Sequence, residues 1–140
     1  MGEGIPLTVP ALTRAYRLGE RAARDRFDWP DTDSIFEKLV EEKNELKAEM
    51  ALFKKAGNEV DREKLRRRME EELGDMLFVI TNLGRHLGVD PELALNGCCK
   101  RFTQRFDRMK QSLSALKRSI SSMSAEEMDD EWRKAKKEIG

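Results

Sequence analysis

Met69 to Gly88 reads MEEELGDMLFVITNLGRHLG. The stretch opens acidic and then turns apolar on every side, with Met76, Leu77, Phe78, Val79 and Ile80 in succession. A helix that is apolar all round is normally buried all round. The pattern therefore predicts a central helix over roughly 61–87, covered by the other helices and, where they do not suffice, by a second subunit. Leu65, Met69, Glu72, Met76 and Ile80 recur at helical spacing, which puts Glu72 inside the apolar stripe and Asp75 one turn further along. A carboxylate on a buried stripe costs several kcal/mol, by order of magnitude, unless a cation pairs with it. A positive group is expected beside Glu72.

Upstream, Ser34-x-x-Glu37 reads as a capping box for a helix running to about Ala56, where Gly57 is a good terminator. Its stripe is Ile35, Leu39, Glu42, Leu46, Met50 and Phe53, so a glutamate again interrupts an apolar face, and Glu45 and Glu49 point roughly the same way. Before it, Met1 to Val9 read as a loose lead-in. Pro10 suits the first position of a helix that runs to about Arg26. Phe27-Asp-Trp-Pro-Asp31 breaks that helix, because proline disfavours a helical Trp29. Two large aromatics are thereby set on a loop, either plugging the end of a bundle or forming the wall of a ligand pocket.

Downstream, Gly88 stops the central helix, and Asp90-Pro91 starts a fourth by cap and first-turn proline. It runs to about Ser119, with Leu95, Cys98, Phe102, Phe106, Met109, Leu113 and Leu116 on its buried side and Arg101 and Arg105 flanking Phe102. A serine-rich break follows. Ser124-x-x-Glu127 is a second capping box, opening a short helix with Met128, Trp132, Lys136 and Ile139. The fold class expected is all-α: a helical bundle of four main helices plus a short terminal helix, in a single domain spanning 1–140.

The 27 basic and 27 acidic residues cancel, so no overall field draws the chain to nucleic acid or membrane, and neither is expected as a partner. No apolar run reaches the roughly 18 residues of a membrane span. The only cysteines, Cys98 and Cys99, are adjacent. They make neither a disulfide framework nor a zinc site, which suits a reducing cytoplasm.

Two helices each carry an acidic pair at i, i+3: Glu42 with Glu45, and Glu72 with Asp75. On facing antiparallel helices these make a nest of four carboxylates. Oxygen-only ligands suit Mg²⁺ or, alternatively, Mn²⁺, and an ion held there can activate water and neutralise phosphoryl charge. Acidic pairs are common in a chain this charged, and most are solvated faces; the setting of Glu42 and Glu72 within apolar stripes is what distinguishes these. A di-iron carboxylate bundle would need Glu-x-x-His on two helices. The only histidine, His86, has Leu83 three residues before it and reads as a surface residue stabilised by the helix dipole.

From about Pro10 to Lys137 the chain resembles the MazG-like all-α nucleoside triphosphate pyrophosphohydrolases, and within that family the C-terminal catalytic domain. The residues that carry the resemblance are Phe27-Asp-Trp-Pro-Asp31, Glu42-x-x-Glu45 with Glu71-Glu-Leu-Gly-Asp75, Asn82-Leu-Gly-Arg-His-Leu-Gly88, Arg101-Phe-x-x-Arg-Phe106 and Glu127-Met-x-x-x-Trp132. The resemblance implies Mg²⁺-dependent cleavage of nucleoside triphosphates to a monophosphate and pyrophosphate. It implies Glu42, Glu45, Glu72 and Asp75 as catalytic metal ligands, and a homodimer or dimer of dimers with sites near the subunit interface. It also implies substrate contacts from Arg101, Arg105, Trp132 and Lys136, to which Trp29 is added as a stacking wall for a broad range of bases. Arg101 stands where the family usually has lysine, and Cys99 where it often has asparagine. The alternative reading, from another class, is a non-catalytic helical module that dimerises or binds a partner helix.

Overall fold

A computed structural model describes residue 1 and residues 3–140. The chain is all-α, with helices α1 (Ala11–Arg24), α2 (Thr32–Lys55), α3 (Glu59–His86), α4 (Pro91–Ala115) and α5 (Ala125–Ile139), and a 3-10 turn at Ile120–Ser122. It forms two compact units, Met1–Glu92 and Leu93–Gly140.

In the first unit α3 packs against both α2 and α1, so the helix expected to be central is the shared partner. Its N-cap is Asn58, whose side chain accepts the Asp61 N–H at 2.9 Å. This cap satisfies a first-turn amide and starts the helix at Glu59 rather than 61. Burial on all sides is not met within one chain. Val79, Thr81 and Asn82 are buried, but Leu73 is 51% exposed and Ile80 44%.

The α2 start also differs from expectation. Asp31, not Ser34, is the cap: its Oδ1 accepts the Ser34 backbone N–H at 2.8 Å and the Ser34 hydroxyl at 2.7 Å. The serine is thus an occupied donor in the first turn. The lead-in is anchored rather than loose, with Ile5 buried and Arg21 donating to the Met1 carbonyl at 2.6 Å and to that of Glu3. Gly2 lies outside the described residues. At the far end of α1, Arg26 takes a left-handed φ of 61°, and the Phe27 N–H turns back to the Ala22 carbonyl. The helix therefore closes two residues early.

In the second unit Met109 and Leu113 of α4, Met123 just after the 3-10 turn, and Ala135 of α5 are buried. Helix α4 stops four residues before Ser119, because Lys117 adopts a left-handed φ of 53° and the Arg118 N–H bonds the Leu113 carbonyl. The Ser124 hydroxyl accepts the Glu127 N–H at 3.2 Å. The other half of the box is not made, since the Glu127 carboxylate is taken by Arg118.

Candidate functional site

Helices α2 and α3 bring the four predicted carboxylates together. One oxygen each from Glu42, Glu72 and Asp75 lie within 4.8 Å of one another, and so do one each from Glu41, Glu42 and Glu45. Glu42 belongs to both triads, and its side chain is only 5% exposed. Glu41 was not anticipated as a member. Lys38 was missed as well: its Nζ lies 2.7 Å from Glu42 Oε1 and 3.0 Å from Glu41 Oε1. The signal was present, since Lys38 sits three and four residues before Glu41 and Glu42, on the same helix face.

The expected cation is therefore real but sits beside Glu42 rather than Glu72. One ammonium pairs with Glu41 and Glu42, and the acidities of Glu42, Glu45 and Glu72 are driven apart. Hydrogen bonding to Lys38 holds the Glu42 carboxyl below its ordinary range, and Glu42 and Glu41 hold the Lys38 proton firmly. Glu45 is pushed up, chiefly by its contact with Glu42. Glu72 is pushed up by desolvation and then by the Glu45 charge. Glu72 Oε2 is buried with no hydrogen-bond donor, which normally carries a penalty. An all-oxygen donor set with an orphaned buried acceptor fits a hard divalent cation. Glu49 also buries an unpartnered oxygen, but its neighbour is Arg68, at 3.9 Å.

Along α3, Asp75 is followed by Phe78 and Asn82, seven residues or about 10 Å on by helical rise. Both line a mostly apolar cavity of about 340 Å³, with Gly19 and Ala22 of α1 and the loop residues Trp29 and Pro30. Trp29 is thus on a cavity wall, while Phe27, which also borders it, is 81% exposed. The loop is held by Asp28. Its Oδ2 accepts Arg85 Nη1 at 3.0 Å, and its Oδ1 accepts Nη2 at 2.5 Å. His86 Nε2 lies 3.0 Å from the same Oδ1. His86 is only 16% exposed, so it is a partner of this loop rather than a surface residue.

The Arg85 hydrogen bond, helped by His86, pulls the Asp28 carboxyl from 3.8 down to about 2. A carboxyl whose folded pKa is depressed adds stability above its unfolded pKa and loses it as pH falls through the folded one. In thermal melts, wild type should exceed Asp28→Asn at neutral pH, and the gap should close between pH 3.8 and about 2. A gap independent of pH over that window would contradict the pairing.

In the second unit Arg105 and Trp132 come together and Arg101 and Lys136 are exposed. The Arg105 guanidinium lies 6.0 Å from the centre of the Trp132 ring and donates to the Gly140 carbonyl, from Nε at 3.1 Å. Trp132 packs on Phe102 at 5.3 Å between ring centres.

No family model matches the chain. It is 39% identical over 136 residues to the nucleoside triphosphate pyrophosphohydrolase/pyrophosphatase MazG of Thermotoga maritima. It is 32% identical, again over 136 residues, to the nucleoside triphosphate pyrophosphohydrolase of Escherichia coli. Each match takes in 97% of this chain and 48% of the relative. The chain thus spans about half the length of the curated relatives it matches.

Proposed function

We propose that this MazG-like chain hydrolyses nucleoside triphosphates between the α and β phosphates, releasing a nucleoside monophosphate and pyrophosphate. The observation that carries the proposal is the pair of carboxylate triads sharing the buried Glu42, with Glu72 Oε2 buried and without a donor. A non-catalytic helical module has no use for such an arrangement.

Glu42, Glu45, Glu72 and Asp75 would hold Mg²⁺, with Mn²⁺ as the alternative, and the ion would neutralise phosphoryl charge and acidify water. Glu42, kept anionic by Lys38, is suited to remain a ligand throughout. Glu45 is assigned to take the proton of the attacking water. Arg101, Arg105 and Lys136 are assigned to the phosphates and Trp132 to the nucleoside. The cavity walled by Trp29 takes the base. Stacking on an aromatic face tolerates any base, so a broad, house-cleaning range of substrates is expected. A cytoplasmic setting belongs to the same reading, and among the described residues no helix is long and apolar enough to cross a membrane.

The test is release of pyrophosphate from each of the common ribo- and deoxyribonucleoside triphosphates with Mg²⁺, and its absence with chelator. Production of a diphosphate and orthophosphate instead would refute the assignment.

Copies of the chain are further proposed to pair as a homodimer, or as a dimer of dimers. Leu73, Leu77, Phe78 and Ile80 of α3 are all more than a third exposed, and apolar area of this kind usually marks an interface. Light scattering at micromolar concentration should return at least twice the 16.2 kDa chain mass; a monomer mass counts against it.

A further inference from the structure

Asp28, Arg85 and Asn82 form a chain of contacts that the catalytic proposal does not use. Asn82 is fully buried. Its Nδ2 donates to the Phe78 carbonyl at 3.0 Å, and its Oδ1 accepts Arg85 Nε at 3.1 Å. The arginine Nε can only donate, so the carboxamide has one orientation. Arg85 is thereby aimed at the loop, where its two terminal nitrogens meet the two oxygens of Asp28. Such a fork-on-fork pair fixes direction as well as distance. Asp28 Oδ1 also accepts the Trp29 backbone N–H at 2.9 Å, so the anchor lies one residue from the aromatic wall. The Arg85 side chain is only 11% exposed, and Arg85 and Asn82 both line the cavity that Trp29 borders.

We propose that the Asn82–Arg85–Asp28 array is a positioning device that sets the Trp29 wall of the cavity, and so the affinity for the nucleoside part of the substrate, with no role in bond breaking. The inference rests on the pyrophosphohydrolase reading above. Three features support a positioning role over a general structural one. The array ends on the backbone of the wall residue itself. It starts on the helix that carries Glu72 and Asp75, so the wall is referenced to the carboxylates through one rigid element. And its charged residues, Arg85 and Asp28, both line the cavity, where a misplaced wall would alter contact with a planar base but not with phosphate.

The experiment compares wild type with Asp28→Asn and Arg85→Lys. The first keeps the shape of the acceptor without its charge. The second keeps the charge without the fork. In both, KM for a nucleoside triphosphate should rise roughly tenfold or more, the share of a base-stacking contact, with kcat close to wild type. The inhibition constant of inorganic tripolyphosphate, which lacks a base, should not move. In a Trp132→Phe background used for fluorescence alone, acrylamide quenching of Trp29 should increase in both variants. Hydrolysis by wild type with KM unmoved in both variants overturns the inference and leaves the pyrophosphohydrolase reading standing. So does an equal fall in kcat and kcat/KM, or a weakened tripolyphosphate constant, since either marks a general structural role. If one variant fails to fold, the other decides by the same readings; if neither folds, the pair is structural and the inference is overturned. A wild-type protein that hydrolyses no nucleoside triphosphate removes the functional reading itself.

Discussion

Glu72→Gln should abolish pyrophosphate release while leaving the metal-free protein as stable as wild type, or more stable. Both halves come from one geometry. One oxygen of Glu72 lies within 4.8 Å of one each from Glu42 and Asp75, and among the described residues no cation pairs with it, Lys38 being taken by Glu41 and Glu42. Its carboxyl is pushed up by burial and by like charges. A carboxyl pushed up on folding detracts from stability at neutral pH and is relieved as pH falls into its folded titration range. The amide removes that burden along with the proposed ligand. A divalent ion that binds only the folded nest adds about 2.7 kcal/mol at a hundred times its dissociation constant, and this increment should shrink in the variant. Melts of both proteins with chelator and with excess Mg²⁺ separate the terms. If Glu72→Gln melts well below wild type in chelator, Glu72 is a structural residue and the metal site is misassigned.

Gly19→Ala should be the most damaging small substitution in the first unit. In an open helix the change would stabilise by up to about 1 kcal/mol. At this position a Cβ would lie 2.1 Å from Asn82 Oδ1 and 3.0 Å from Arg85 Nε. Asn82 cannot swing away cheaply, because it is fully buried and bonded at both ends of its amide. Either α1 lifts off α3 or a buried hydrogen bond breaks, and each outcome is worth about 1–3 kcal/mol. A net loss of about 2 kcal/mol is expected. Gly74→Ala is the internal control. It lies within α3 with nothing inside 4 Å of its Cβ, so the melting temperature should rise slightly. Equal responses at the two glycines would show that helix propensity alone decides them.

Much of this was legible in sequence because the signals were local. The apolar run from Met76 to Ile80 and the interruptions at Glu42 and Glu72 placed α3 and the carboxylate nest. Asp90-Pro91 and Gly88 placed the boundary between α3 and α4. What escaped was competition between near-equal local partners. Asp31 and Ser34 can each cap α2, and the choice went to the residue whose extended backbone leaves its side chain free to accept. Glu127 could have completed its capping box, but Arg118, nine residues away, offered a charge. The closing turns at Arg26 and Lys117 use left-handed backbone without glycine, so composition gave no warning of them. His86 and Arg85 looked like ordinary basic residues at a helix end, since Asp28 is 58 and 57 residues away and only the fold brings it to them.

The stop of α3 has a consequence for how the molecule opens. Gly88 takes φ +68°, the Val89 N–H bonds the Gly84 carbonyl at 2.8 Å, and the Gly88 N–H bonds that of Arg85. This double closure ties down the carbonyls a helix end usually leaves to solvent. The two residues that grip Asp28 are the last two of the helix, where fraying normally begins. Cap, last turn and aromatic loop are therefore expected to open as one cooperative unit. Amide exchange at Trp29 and at Leu87, remote in sequence and bonded to different acceptors, should then report one shared opening free energy.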